Sequence, residues 1–238
     1  MQDSLPGRHP ARDFARDDTT ERRRDPTATK AALLRAAVAE FAAKGLAGAR
    51  IDEIAQRAEV NKQLVYHYFG SKDELYRAAL EHVYGEIRER ERALHLSDLP
   101  PLMAMERLIG FSFDYLAEHP EFIALLNDEN RLDARHVQKS DRLEQMHSPL
   151  VALIKETLQR GAAEGVFRAD FDPVQLYVSI AGLSYFFFSN NRTLSAIFGR
   201  AMDRPKAVAE RRRHVVAFAM GALRPAEPQR RGESRRGK

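Results

Sequence analysis

Lys62, Gln63, Leu64, Tyr66 and His67 share one face of a short segment whose other face is Val65, Tyr68 and Phe69 at helical spacing. A purely structural helix has little need to present a cation, an amide, an aliphatic group and two aromatics together. As a set they can hydrogen-bond and pack against base edges while charges beside them meet phosphate, which is the chemistry of duplex recognition. Arg50 and Lys72 flank the stretch with two further cations.

Such side chains need a rigid mount. Upstream, Ile51, Ile54, Ala55 and Ala58 recur on one face of a 3.6-residue period, so a first short helix has one side to bury. Glu59-Val60-Asn61 breaks the pattern, and Asn61 is a preferred N-cap for a second helix starting at Lys62. Two short helices joined by a tight turn follow the plan of a helix-turn-helix, whose second helix enters the major groove. Gly70 closes that helix, and Ser71 caps the next one with Asp73 and Glu74 in its first turn. Ahead of the motif, Thr27 or Thr29 can cap a helix to about Lys44, with Leu34, Ala37, Val38 and Phe41 on its buried stripe and Gly45 just past its end.

The rest reads as helix after helix, with no convincing strand pattern and no internal repeat. Residues 72–94 continue through Leu75, Tyr76, Ala79, Leu80, Val83 and Ile87; the charges Glu86, Arg88, Glu89, Arg90, Glu91 and Arg92 near the end read as a solvated face. Helices over 102–118 and from Glu121 follow, residues 135–146 read as irregular or a short helix, and Pro149 opens the next helix. Residues 173–190 are apolar nearly all round and need cover on more than one side, plausible from a second subunit; with residues 205–223 they make a dimer-forming pair. The expectation is an all-α chain of about nine helices. Residues 1–26 and 225–238 are polar, charged and proline-bearing, with the signature of disorder. Arg22-Arg23-Arg24 in the first of these is either a flexible arm reaching DNA or a solvated charge run.

Composition narrows the function classes. The 238 residues are 44% apolar, enough for a packed core, and cysteine is absent, which removes disulfides, thiolate-held zinc and thiol catalysis. Neither a leader-like apolar run at the start nor a membrane-length apolar window is seen, so the chain reads as soluble and cytoplasmic. A net charge of +4 permits nucleic-acid binding without arguing for it. No nucleophile elbow, phosphate loop or His-Glu metal motif occurs; His119, His136 and His147 lack ligand spacing, so neither an enzyme, a metal site nor a cofactor is expected.

The run Ile51-Asp52-Glu53-Ile54-Ala55 to Ala58, then Val60 to Phe69, then Ser71-Lys72-Asp73-Glu74-Leu75, resembles the DNA-binding domain of the tetracycline-repressor (TetR) family of bacterial transcription regulators. The likeness covers residues 27–80. The remainder more loosely resembles the helical ligand and dimer domain of that family, in the subgroup that includes regulators of pyrimidine catabolism. The resemblance implies a three-helix DNA-binding domain over 27–74 and a helical ligand-binding and dimerisation domain over 75–224. Two departures stand out: Glu59 occupies a turn position where the family commonly has Gly, and the Ser or Thr usual near Ala49 and Arg50 is missing, a cap loss of ~1 kcal/mol.

Docking geometry then makes Gln63, Leu64 and His67 base readers, and Arg50, Lys62, Tyr66, Tyr68 and Lys72 backbone contacts; Tyr68 is equally a half-buried core aromatic. The resemblance implies a homodimeric repressor on a near-palindromic operator, released by a small-molecule effector. The alternative is a ligand-independent regulator acting through a protein partner. Candidates for the effector pocket are Phe113, Phe122, Leu126, Tyr177, Tyr185 and Asn190, with Asp128, Glu129, Asn130 or His147 as polar contacts; each is alternatively core packing or a satisfied polar group.

Overall fold

A computed structural model describes residues 25–225, apart from the side chains of residues 147 and 148. The charge run Arg22-Arg23-Arg24 lies outside the described residues, as does the tail from 226. Among the described residues there are nine α-helices and no strand: α1 (Pro26–Gly48), α2 (Ile51–Arg57), α3 (Lys62–Phe69), α4 (Lys72–Arg92), α5 (Pro101–Glu118), α6 (Pro120–Arg131), α7 (Asp141–Ala163), α8 (Pro173–Phe198) and α9 (Pro205–Leu223).

Several boundaries differ from the sequence reading, each for a local reason. α1 starts at Pro26, with Asp25 rather than Thr27 or Thr29 as its cap; the Asp25 carboxylate accepts from Thr27 N–H at 3.0 Å. α7 begins at Asp141, so the expected irregular stretch is helical and Pro149 lies inside it. Ser140 caps that helix by accepting from Leu143 N–H, and Leu143 anchors the first turn in the core. α8 runs on to Phe198, because residues 190–193 contain no helix breaker and the left-handed Gly199 is the first stop.

Two cores result. The first gathers α1 to α4 with the end of α5 and α6: Leu33, Phe41, Ile54, Val65, Tyr76, Leu80, Tyr115 and Leu125 are all within it. The second holds α5, α7, α8 and α9 around Met105, Ile109, Phe113, Ile154, Ile180, Phe187 and Val215. The boundary expected at residues 74/75 falls inside the unbroken α4, and α6 packs directly on α1.

The joint between the two parts is polar. Gly45 bends α1 with a φ of 67°, and a Cβ there would stand 2.8 Å from Asp128 Oδ1 of α6. Asp128 accepts from Leu46 N–H at 2.7 Å, from the Tyr76 hydroxyl at 3.2 Å and from Arg131 at 2.6 Å. Burial pushes its carboxyl up, but those bonds outweigh burial and hold it below the usual carboxylate value. A second tie runs through buried His136, whose Nδ1 lies 2.8 Å from Glu129 of α6 and whose Nε2 lies 3.2 Å from Asp73 in the first turn of α4. Glu129 also accepts from the His136 and Val137 amides.

Gly45→Ala should therefore destabilise the fold by about 2–4 kcal/mol, combining left-handed strain with a clash on Asp128. Thermal unfolding reads this as a fall of roughly 2–4 °C per kcal/mol. An unchanged melting curve would contradict the close fit. Because Asp128 is depressed in the folded state, its contribution is present above the unfolded value and lost as pH falls through the folded one. Asp128→Asn should accordingly flatten the acid limb of the stability profile.

Candidate nucleic-acid interface

The interface is built on α2 and α3. Ile51, Ile54 and Ala55 bury the inner face of α2, and Val65, 1% exposed, pins the middle of α3. Tyr68 and Phe69 lie half-buried against the same core, with Lys30 over the Phe69 ring. The turn between the helices is tight. Glu59 takes a φ of 54°, its N–H donates to Gln56 O at 3.0 Å, and Val60 N–H donates to Ala55 O at 3.0 Å. Thus the non-glycine residue at this position adopts the left-handed conformation itself and keeps the turn compact. Asn61 caps α3 as expected, its Oδ1 accepting from Gln63 N–H at 2.9 Å. Gly70 ends α3 at a φ of 76°, and Ser71 accepts from Glu74 N–H to start α4.

That scaffold leaves Lys62, Gln63, Leu64, Tyr66 and His67 exposed together on the outer face of α3, including the apolar Leu64 at 37% and Tyr66 at 44%. Lys62 is paired with Asp52 of α2 at 2.8 Å, and this hydrogen bond holds the Asp52 carboxyl low and the Lys62 ammonium high. The Lys72 ammonium reaches Ala47 O at 3.4 Å, so it stands beside the loop into α2. Arg50 has an exposed side chain and no side-chain cap bond to α2, while its N–H donates to Glu40 Oε1 at 3.3 Å. Glu40 escaped the sequence reading. It is 1% exposed, sits at 2.8 Å from Lys44 and 3.8 Å from Arg57, and the bond from Lys44, opposed by burial, keeps its carboxyl low. Its signal was an acid seven residues after Leu33 and next to Phe41, on the buried stripe of α1.

The pocket candidates divide. Phe113 is fully buried against Phe187 and Phe188 in the second core, whereas Phe122 belongs to the first core, edge-on to Tyr84. Leu126 is half-buried beside the first core, Glu129 is committed to His136, and Asn130 is exposed. The His147 side chain lies outside the described residues. Asn190 donates back to Phe186 O at 2.9 Å. Tyr177 and Tyr185 meet separate polar partners: Tyr177 accepts from Arg88 at 3.4 Å, and the Tyr185 hydroxyl donates to Asn127, which in turn donates to Ser189 at 3.1 Å. Arg88 and Glu91 correct the sequence reading. They are 3% and 4% exposed, not part of a solvated face, because α7 packs over that side of α4 and Tyr177 of α8 reaches Arg88. No group of three or more metal-ligating side chains occurs among the described residues.

Comparison with known proteins agrees with this geometry. Residues 33–79 match the family model "Bacterial regulatory proteins, tetR family", and residues 101–218 match "Tetracyclin repressor-like, C-terminal domain". The chain is 34% identical over 196 residues to the HTH-type transcriptional repressor NicS of Pseudomonas putida, spanning 82% of this chain and 92% of that protein. It is 47% identical over 105 residues to the HTH-type transcriptional repressor SCO4008 of Streptomyces coelicolor, spanning 43% of this chain and 50% of that protein. The solved structure of the transcriptional regulator FadR from Bacillus subtilis with stearoyl-CoA shares the fold at 16% identity, with a TM-score of 0.62 over 82% of this chain and 99% of that one.

Asn61→Ala should cost about 1 kcal/mol by removing the α3 cap, and Asn61→Asp should retain most of it. Paired denaturant titrations measure the difference. Equal losses in both variants would mean that the side-chain cap contributes nothing.

Proposed function

This chain belongs to the TetR family of bacterial transcription regulators, and from that premise we propose that it is a homodimeric repressor released from its operator by a small molecule. It is a regulator and not an enzyme. The observation that carries the DNA-binding half is the outer face of α3, where apolar and polar side chains stand exposed together on a helix pinned from behind by Val65. In this reading Gln63, Leu64 and His67 meet base edges, and Arg50, Lys62, Tyr66, Tyr68 and Lys72 meet the backbone. Lys62 exchanges its Asp52 partner for phosphate. Two α3 helices reach successive major grooves when the heads stand about 34–36 Å apart.

Dimerisation is supported by α8 and α9. Val174, Val178 and Phe186 form an exposed stripe on α8, with Gly182 between them open to close approach, and Phe218 is exposed on α9 with His214 stacked on it. Apolar surface of this kind is stabilised by a matching copy, and a twofold pair puts the same stripes against each other. The effector half is supported by the polar joint. An effector in the body that shifts α6 against α4 moves Asp128 and His136, and with them α1 and the start of α4 beside α3. Coupling of ~1–3 kcal/mol suffices for such a switch. Among the described residues no helix is long and apolar enough to cross a membrane, in keeping with a cytoplasmic site of action.

Selection from a random duplex pool with the full chain should enrich a near-palindromic site, and failure to enrich any sequence would sink the reading. On that site, Gln63→Ala should change base preference at one position per half-site by ~1–3 kcal/mol. Lys72→Ala should instead weaken all sequences alike and lower the salt slope by about 1. Light scattering on Phe186→Glu should find a monomer with an unchanged helical signal; a persistent dimer would move the interface elsewhere.

A further inference from the structure

The buried pair Arg88 and Glu91 on α4 is unlike the other buried charges of the molecule. Asp128 and Glu129 receive several hydrogen bonds each, but Arg88 Nε and Nη1 and Glu91 Oε2 have no hydrogen-bond partner among the described residues. Nη1 stands 2.9 Å from Oε2, close enough for attraction yet misaligned for a bond, and among the described residues Nη2 donates to the Tyr177 hydroxyl alone, at 3.4 Å. Burial accordingly wins over the attraction of Arg88, and the Glu91 carboxyl is pushed up to about 7. A guanidinium that is 3% exposed and keeps two donor nitrogens unused lacks an acceptor that fits it.

Space for that acceptor adjoins the pair. Arg88 and Glu91 line a small apolar pocket of about 40 Å³ closed by Met146, Pro149, Leu150 and Leu153. Arg88 also lines a more open recess of about 360 Å³ along the α4–α7 seam. Arg88, Arg92 and the flexible thioether chain of Met146 line both spaces.

We propose that Arg88 anchors an organic monocarboxylate, its charged end on the guanidinium donors and its apolar body lying between the α4–α7 recess and the small pocket of Pro149, Leu150 and Leu153, which admits it when the Met146 side chain swings aside. The planar fork of Arg matches a carboxylate through two parallel bonds. The recess balances Glu81, Glu86 and Glu89 with Arg88, Arg92 and Arg142, so its formal charges cancel and give a dianion no net positive surplus. This deepens the effector-released reading above and rests on it for its regulatory meaning; the anion site itself stands on geometry alone.

The test is calorimetric titration of the purified full chain with hexanoate, benzoate and cyclohexanecarboxylate, each beside its neutral amide. At least one carboxylate should bind about tenfold or more tightly than its amide. The double variant Arg88→Met with Glu91→Leu, which leaves no lone buried charge, should lose that preference while keeping its helical signal. Glu91→Gln, which removes the competing carboxylate, should bind at least as tightly as the wild type. Absence of carboxylate binding, equal binding of the amides, undiminished binding by the double variant or loss of binding in Glu91→Gln would each overturn the proposal. Operator affinity measured with the bound carboxylate separates the two ideas. Arg88-dependent binding that leaves DNA affinity unchanged keeps the anion site and removes effector release.

Discussion

One carboxylate holds the head of this molecule to its body. Asp128, on α6, occupies the space that a side chain at position 45 would fill, and it ties the Leu46 amide, the Tyr76 hydroxyl and Arg131 to one point. The bend of α1 at Gly45, the delivery of the chain to α2 and the seating of α4 all depend on that arrangement. His136 adds a second link from Glu129 to Asp73, the residue after Lys72. Both links start from the last turns of α6 and end on elements that bracket α3. Val65, buried behind it, and the Asn61 cap fix α3 on this framework.

Satisfaction of buried polar groups is distributed unevenly along this path. In the head and the joint, Glu40, Asp128 and Glu129 are bonded to amides and cations, so these regions have one arrangement at low energy. In the body, Arg88, Glu91 and Arg211 retain unbonded atoms. A polar group left in that state is costly to keep, so the body is where an added acceptor lowers the energy most. The contrast is the one the proposed switch requires: satisfied polar groups in the head proposed to meet DNA, and unmet bonding capacity in the body proposed to take a small molecule.

Much of the fold was legible because local signals and burial agreed. Asn61, Gly70 and Ser71 act as caps where their chemistry predicts, and Ile54 and Val65 are buried where the period puts them. The start of α7 was not legible, since only Leu143 and Met146 supply apolar weight in its first turns and Pro149 looks like an opening rather than an interior residue. Of the pocket candidates, aromatics such as Phe113 and Phe122 are core residues of two different clusters, a division that helical periodicity cannot express because it says which face is buried and not what covers it.

The most instructive misreading concerns charge. Tyr76, Leu80, Val83 and Ile87 define a buried stripe on α4, Glu91 continues it four residues after Ile87, and the buried Arg88 lies three before Glu91. Residues 86–92 contain six charges, and such a run ordinarily marks a solvated face. Periodicity pointed the other way. The same holds for Glu40, which follows Leu33 and Ala37 on the buried side of α1. Desolvating a charge is expensive enough that it persists at such a position only with a compensating contact. Glu40 has its contacts in Lys44 and the Arg50 amide, whereas Arg88 has too few, so a charge that continues an apolar stripe separates joints already closed from sites still open.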